Sequence, residues 1–237
     1  MEIVVSEAGG RIPVFAAVTA VHKLPAVELA LHAQRVGADG VMAMPPHIVH
    51  PDEAGCFDYY KALSEAVEIP IIIQNYIGPV GTPMSAGLLA RMCRELEHVE
   101  YIKEETLPSS RKISETLRAV GKACKGIFGG QGGIYLLDEF KRGAAGNMPG
   151  PQASDVLANI WALMEDGQES QARDLYYRLL PLINYERQYG VALYKEVLRR
   201  RGIFATTVCR VPGSFLEGED LAELDAIFKT VEPLFTC

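Results

Sequence analysis

The feature of this sequence that most restricts its fold is a rhythm repeated along the first 150 residues. A short run of β-branched or apolar residues is followed by a turn and then by a longer amphipathic segment. Six such runs occur, at residues 12–18, 40–44, 69–75, 99–105, 124–130 and 144–150. The intervening segments predict helices near residues 25–37, 52–67, 85–97, 109–121 and 132–142. Because parallel neighbouring strands are joined by a crossover that is usually helical, the rhythm predicts an α/β fold with a parallel sheet.

After residue 150 the pattern is typical of helices alone, near residues 154–166, 168–187, 190–201 and 218–231. No linker rich in Pro, Gly and Ser separates this region, so we predict one structural unit. Residues 1–150 form its α/β body, and residues 151–237 form the last helix of that body and a C-terminal helical segment. Periodicity alone leaves two architectures open, an open doubly wound sheet and a (β/α)8 barrel. The first usually carries a glycine-rich phosphate loop, which residues 16–25 lack, and the second needs eight strands.

Composition excludes several classes of partner. The chain has 237 residues, of which 49% are hydrophobic and 22% charged, as in a globular protein. Its net charge of -7 and the lack of a basic cluster argue against nucleic acid. No signal-peptide pattern and no run of membrane-spanning length occurs, and the five cysteines are scattered without metal-ligand spacing. These features predict a cytoplasmic protein with no membrane partner.

The stretch "VEYIKEET", residues 99–106, places a lysine at the end of an apolar strand. Strand residues two apart point the same way, so Lys103 and Glu105 share one face, and Ile102 and Glu104 share the other. Burial lowers the pKa of a lysine, and a neutral amine at the mouth of a barrel can attack a carbonyl to form a Schiff base. The neighbouring carboxylate can then move protons. On this pattern alone, the alternative is that the Lys-Glu-Glu sequence consists of ordinary solvated charges at the end of a strand.

Other predicted strands also end in polar or glycine-rich residues. "IIIQN" ends in Gln74 and Asn75, which can orient a substrate, although Asn also favours a turn. "FGGQGG", residues 128–133, lets backbone N–H groups approach an anion, or forms a tight turn. His47 and His50 lie three residues apart after another strand, but no Glu or Cys at ligand spacing accompanies them, so we predict no metal site.

Together these stretches resemble the dihydrodipicolinate synthase and N-acetylneuraminate lyase family of Schiff-base-forming barrel enzymes. The resemblance runs from about residue 9 to the end and keeps the family's order and spacing. The matching stretches are "GRIPVFAAV", the "MPP" strand end with "HPDEAGCFDYYKALSEAVEIPIII", "YIKEET", "RGAAGNMPG" and "ALYKEVLRRRGI". The resemblance implies a (β/α)8 TIM barrel with a C-terminal helical segment, and Lys103 as the Schiff-base lysine. It also implies a 2-oxo acid substrate, no metal or organic cofactor, and a homo-oligomer, either a dimer or a tetramer.

Two departures from the family pattern narrow the implied activity. Gln74 stands where synthases and lyases usually carry a catalytic Tyr, and Tyr76 follows two positions later, in what we predict to be a turn. Pro79 stands near the place of an Arg that synthases use. The pattern resembles more closely the branch that dehydrates 2-keto-3-deoxy sugar acids such as 2-keto-3-deoxyarabonate. The alternatives are an aldolase like dihydrodipicolinate synthase or N-acetylneuraminate lyase, and a catalytically impaired fragment that binds a 2-oxo acid or serves as an oligomer partner.

By this resemblance Lys103 is the nucleophile and Glu105 the acid/base group. The candidate substrate-binding residues are Gln74, Asn75, His47, Gly129, Gly130 and Met148.

Family barrels begin with two further βα units, and their second strand ends in a Gly-Thr-Thr-Gly-Glu type motif that binds the substrate carboxylate. This chain opens at "MEIVVSEAGGRIPV", apparently within the second helix, so that motif has no counterpart. We therefore expect an N-terminally truncated barrel that lacks about the first two βα units. Because an open barrel exposes apolar side chains and unpaired strand edges, we expect the isolated chain to fold poorly or to have little activity.

Overall fold

The computed structural model of the chain describes residues 1–78, 81–211 and 213–236. Pro79, which the sequence places near the position of the synthase Arg, lies outside the described residues. Strands and helices alternate in the first part of the chain: α1 (Glu2–Ala8), β1 (Phe15–Ala17), α2 (Lys23–Arg35), β2 (Gly40–Ala43), α3 (Glu53–Ala66), β3 (Ile71–Tyr76), α4 (Ala86–Glu95), β4 (Val99–Glu105), α5 (Ser109–Val120), β5 (Gly126–Gly129), α6 (Leu136–Lys141) and β6 (Gly146–Asn147). Longer helices follow: α7 (Ser154–Glu165), α8 (Glu169–Tyr189), α9 (Val191–Arg200) and α10 (Gly218–Val231).

The sheet has its strands in sequence order, from β1 to β6. The pairings of β1 with β2, β2 with β3, β3 with β4 and β4 with β5 are all parallel. The predicted α/β class and parallel sheet are therefore confirmed. A doubly wound sheet reverses its strand order at a switch point, and this sheet does not, so the doubly wound alternative is wrong.

Three of the predicted elements that are shorter than expected have a clear local reason. The first strand was expected from residue 12, but the N–H of Val14 donates to Oδ2 of Asp39 at 2.7 Å and leaves the strand ladder to begin at Phe15. The last strand ends at Asn147, and Pro149 has no N–H to donate further along. The helix expected from residue 132 begins at Leu136, because Gly132 has a φ of 69° that an α-helix does not accommodate.

Side-chain caps fix the helices that follow β2 and β3. Asp52 accepts a hydrogen bond from the N–H of Gly55 at 2.8 Å, and α3 begins at Glu53, one residue after the predicted start at residue 52. Ser85 accepts from the N–H of Leu88 at 3.1 Å and starts α4 in the same way. The caps thereby set where each helix begins after the strand before it.

The chain forms two compact units. The first comprises Met1–Gly129 with Lys141–Gly146, and the second comprises Gly130–Phe140 with Asn147–Cys237. Apolar strand residues form the core of the first unit, among them Ile71, Ile72, Ile73, Ile102 and Ile127. Helical side chains form the core of the second, among them Ile160, Leu179, Leu182, Leu193 and Leu224. The expectation of a single unit divided at residue 150 stays a prediction.

Apolar side chains are exposed near the N-terminal end of the strand order. They include Ile3, Val4, Ile12, Val21 and Leu24, and β1 is the first strand of the sheet. The expectation that two βα units are lacking stays a prediction. None of the helices in the described part of the chain combines the length and the apolar run that crossing a bilayer requires.

Candidate active site

The candidate active site is built on the carboxyl ends of β3 and β4. The two strands pair in parallel, with Gln74 opposite Lys103, Asn75 opposite Glu104 and Tyr76 opposite Glu105. Side chains alternate between the faces of a sheet, and directly paired residues point the same way. The register therefore places Gln74, Lys103, Tyr76 and Glu105 on one face.

On that face, three side chains form a hydrogen-bonded row. Nζ of Lys103 lies 3.2 Å from Oε2 of Glu105, and both side chains are largely buried, with 12% and 7% exposed. The amide of Gln74 donates from Nε2 to the same oxygen of Glu105 at 2.7 Å. An amine, a carboxylate and an amide thus meet at the ends of two adjacent strands, as the alternation of "YIKEE" predicts for Lys103 and Glu105.

Asn75 lies on the opposite face, turned away from this row. Its amide nitrogen donates to Oε2 of Glu104 at 2.9 Å and to the carbonyl of Met84 at 3.2 Å, and its carbonyl accepts from the N–H of Met84 at 2.8 Å. The side chain is 1% exposed. The predicted substrate contact of Asn75 does not agree with this geometry, because its amide is already bonded within the protein.

Tyr76 lies in a strand, whereas the sequence suggested a turn. β3 extends from Ile71 to Tyr76. A Cβ built on Gly78 would lie 2.4 Å from the hydroxyl oxygen of Tyr76, so only glycine accommodates the ring at that position. The strand register places Tyr76 on the same face as Gln74.

His47 follows β2, in the loop that leads to α3. Its Nδ1 is buried and has no hydrogen-bond partner among the described residues. The neighbouring His50 is used differently, since its Nδ1 lies 2.8 Å from Oγ1 of Thr82, which donates to the carbonyl of Pro46 at 2.8 Å. Within residues 1–78, 81–211 and 213–236, no three His, Cys, Asp or Glu side chains cluster in a way that could hold a metal ion.

Gly129 is the last residue of β5, which is the strand beside β4. It follows Phe128, which pairs with Lys103, and it is buried. Gly130 and Met148 belong to the second compact unit. Their predicted approach to Lys103 stays a prediction.

The glycine-rich loop of the second unit packs against a carboxylate of the protein. Gln131, Gly132 and Gly133 have φ values of 53°, 69° and 85°, in the left-handed region. A Cβ on Gly132 would lie 2.5 Å from Oε1 of Glu186. Tyr194 donates to that same oxygen at 2.7 Å, and burial raises the pKa of Glu186. The sequence did not single out Glu186, whose neighbours come from distant parts of the chain.

Glu104 is a second buried carboxylate for which no role was predicted. It is fully buried on the face opposite Lys103, and burial raises its pKa, an effect opposed by hydrogen bonds from Thr106 and Asn75. The alternation of "YIKEE" was enough to place it on that face. Its partners could not be read locally, because Asn75 lies on a different strand.

Comparison with known proteins identifies the class of this protein. The chain matches the dihydrodipicolinate synthetase family over residues 1–231 and belongs to that family. The family and the Schiff-base lyase class expected from the sequence are thereby confirmed.

Individual relatives agree with this assignment. L-2-keto-3-deoxyarabonate dehydratase of Azospirillum brasilense is 36% identical over 235 residues, which cover 98% of this chain and 76% of that enzyme. The 4-hydroxy-tetrahydrodipicolinate synthase of Methanopyrus kandleri is 28% identical over 191 residues, which cover 77% of this chain and 60% of that enzyme. The crystal structure of dihydrodipicolinate synthase from Rhodopseudomonas palustris, 27% identical, has a TM-score of 0.88 over 97% of this chain and 79% of that one.

Proposed function

We propose that this chain is a lyase that joins Lys103 to the carbonyl carbon of a 2-oxo acid as a Schiff base, and that it dehydrates a 2-keto-3-deoxy sugar acid. The observation that carries the proposal is the row of Lys103, Glu105 and Gln74 on one face of adjacent strand ends. The similarity to L-2-keto-3-deoxyarabonate dehydratase supports a sugar acid as the substrate.

The row supplies the groups that the first step needs. Glu105, at 3.2 Å, accepts a proton from the Lys103 ammonium, and the neutral amine attacks C2 of the substrate. Glu105 returns the proton to the C2 hydroxyl, which leaves as water, and a protonated imine remains on Lys103. Proton transfer and nucleophilic attack therefore use two side chains that are already in contact.

The same carboxylate serves the elimination. The protonated imine withdraws electrons from C3, so Glu105 can remove a proton there. Glu105 then passes this proton to the hydroxyl at C4, which leaves as water as the C3–C4 double bond forms. Gln74 holds the carboxylate through its 2.7 Å hydrogen bond. Hydrolysis of the Schiff base releases the dehydrated product and frees Lys103. The covalent imine is the electron sink, so the proposed reaction uses no external cofactor.

Gln74, His47, Gly129, Gly130 and Met148 remain the proposed substrate contacts. The unpaired, buried Nδ1 of His47 supports a polar contact from the loop after β2. We leave Asn75 out of this set, because its amide is bonded to Glu104 and Met84.

The finer architecture is also part of the proposal. Six strands in sequence order, and the likeness to a solved dihydrodipicolinate synthase with a TM-score of 0.88, support a (β/α)8 barrel. We also propose that the protein is cytoplasmic and forms a homo-oligomer, either a dimer or a tetramer. Its partner is a small-molecule substrate, and neither nucleic acid nor a membrane is proposed as a partner.

An aldolase of the synthase or N-acetylneuraminate lyase type is the second candidate. The similarity to 4-hydroxy-tetrahydrodipicolinate synthases favours it, and Gln74 in place of a tyrosine weighs against it. An impaired fragment that only binds a 2-oxo acid or an oligomer partner is the third, and the exposed apolar residues near β1 are the observation in its favour.

Product analysis on a panel of 2-keto-3-deoxy acids tests the proposal. We expect loss of water without cleavage of a carbon-carbon bond, detected as an unsaturated or rearranged product of the same carbon number. Release of pyruvate and an aldehyde would replace the dehydratase by an aldolase. No turnover of any member, with binding retained, would favour the impaired fragment.

A further inference from the structure

A fully buried carboxylate lies directly behind the proposed site. Glu104 is flanked in sequence by Lys103 and Glu105, and its side chain points to the opposite face of β4. It is 0% exposed. A buried carboxylate is costly unless hydrogen bonds satisfy its oxygens, so its partners indicate what holds it there.

Glu104 accepts hydrogen bonds from three parts of the first unit. Asn75 on β3 donates to Oε2 at 2.9 Å, and Thr116 on α5 donates to the same oxygen at 3.5 Å. The N–H of Thr106, just past β4, donates to Oε1 at 2.9 Å, and the Thr106 hydroxyl donates to it as well. We call Asn75, Glu104, Thr106 and Thr116 the rear clamp.

The rear clamp lies at the same level of the sheet as the proposed site. The pair Asn75 and Glu104 stands between the pair Gln74 and Lys103 and the pair Tyr76 and Glu105. Asn75 also bonds both backbone groups of Met84, which ties in the segment that leads to α4. The clamp therefore fixes how far β3 and β4 extend and in which register, and the register sets the distance from Gln74 to Glu105.

We propose that Glu104 is a positioning residue for the reaction, acting through the ends of β3 and β4 on Lys103, Glu105 and Gln74. This inference rests on the proposed function. Its physical basis is that Lys103, Glu105 and Gln74 can transfer protons only at fixed distances from one another. In this proposal Glu104, on the opposite face of the sheet, sets those distances without contacting the three side chains. Glu104 itself contacts no substrate in this scheme.

Glu104→Gln tests the inference with little change of volume. The amide of the new side chain replaces one accepting oxygen by an N–H₂ group, which faces a donor on Asn75, Thr106 or Thr116. Because two donors cannot form a hydrogen bond with each other, at least one contact is lost. We expect kcat for water loss, and the rate of borohydride-trapped pyruvate adduct on Lys103, to fall about 10- to 100-fold, with a smaller change in KM.

The double variant Asn75→Asp with Glu104→Gln places the carboxylate at position 75 and the amide at position 104. The hydrogen bond between the two positions can then form again, with donor and acceptor exchanged. We expect it to recover part of the lost kcat. Glu100→Gln is the matched control, because Glu100 lies near the start of the same strand and pairs with the exposed Lys125, at 2.6 Å. We expect this control to react as the wild type does.

A readout without substrate separates the inference from the proposed function. Cyanate carbamylates neutral amines, so its rate at Lys103 against pH, followed by mass spectrometry, reports the surroundings of that amine alone. We expect Glu104→Gln to shift this profile and Glu100→Gln to leave it unchanged.

The proposed function fails if wild-type protein forms no pyruvate adduct, whatever the carbamylation shows. The positioning role is overturned if Glu104→Gln lowers the unfolding temperature but leaves the carbamylation profile unchanged. It is equally overturned if trapping per folded molecule equals that of the wild type.

Discussion

Nζ of Lys103 lies 3.2 Å from Oε2 of Glu105, two residues further along the same strand. The same oxygen accepts a hydrogen bond from Nε2 of Gln74 on the neighbouring strand. One carboxylate oxygen thus joins an amine and an amide. Because Lys103 and Glu105 are both largely buried, water competes little for these contacts.

Glu105→Gln separates formation of the Schiff base from the elimination. The amide keeps the shape but cannot accept the C3 proton, so we expect the rate of water loss to fall by about 10²- to 10⁴-fold. A slower, but detectable, borohydride-trapped pyruvate adduct should remain on Lys103. Steady-state kinetics and trapping measure the two steps, with the exposed Glu115→Gln as control. An unchanged rate of water loss would remove Glu105 from the mechanism.

Gln74→Leu removes the donor that the Glu105 carboxylate receives from β3. Without this hydrogen bond the carboxylate is no longer held at a fixed distance from Lys103, so we expect kcat for water loss to fall about 10-fold in steady-state kinetics. The matched control is Gln34→Leu, since Gln34 accepts from the N–H of Glu68, ahead of β3. If both variants keep the wild-type kcat, the contact of Gln74 with Glu105 does not influence the reaction.

The sequence predicted the face shared by Lys103 and Glu105 because alternation along a strand is a local property. It predicted a substrate contact for Asn75 because the strand was expected to end there. β3 continues to Tyr76, so the alternation still applies at Asn75 and turns it to the other face. The rear clamp could not be predicted, because Thr116 and Asn75 reach Glu104 only once α5 and β3 have packed against β4.

The order of the strands could not be predicted from the periodicity of the sequence, for a similar reason. Six β/α units predict a parallel sheet, but periodicity does not say whether successive strands add on one side or on both. The resemblance of the motifs favoured a barrel, and the sequential order of β1 to β6 agrees with it. The start of β1 depends on a contact between Val14 and Asp39, which no local pattern reveals.

Asp155 in the second unit should make stability depend on pH. Burial raises its pKa, but hydrogen bonds from the N–H of Thr236 and from Arg201 outweigh burial, so the pKa lies below its ordinary value. A lowered pKa in the folded state adds stability at neutral pH that is lost as the pH falls through that pKa. We expect Asp155→Asn to lower the free energy of unfolding by about 2–4 kcal/mol at pH 7, with partial exposure reducing the cost of a fully buried pair.

Urea unfolding followed by Trp161 fluorescence measures this effect, because Trp161 lies on α7 in the same unit as Asp155. The difference between wild type and variant should shrink as the pH falls below about 4. Asp166→Asn, at the exposed end of α7, serves as control. A difference that stays constant from neutral to acid pH would contradict the assigned cause.

The central claim is that Lys103 forms the covalent bond with substrate. The most direct test is to incubate the protein with pyruvate, reduce with borohydride, digest, and locate the adduct by mass spectrometry. We predict a reduced pyruvate adduct on the peptide that contains Lys103, and none in Lys103→Ala. An adduct that persists in Lys103→Ala, or that forms only on another lysine, would contradict the account.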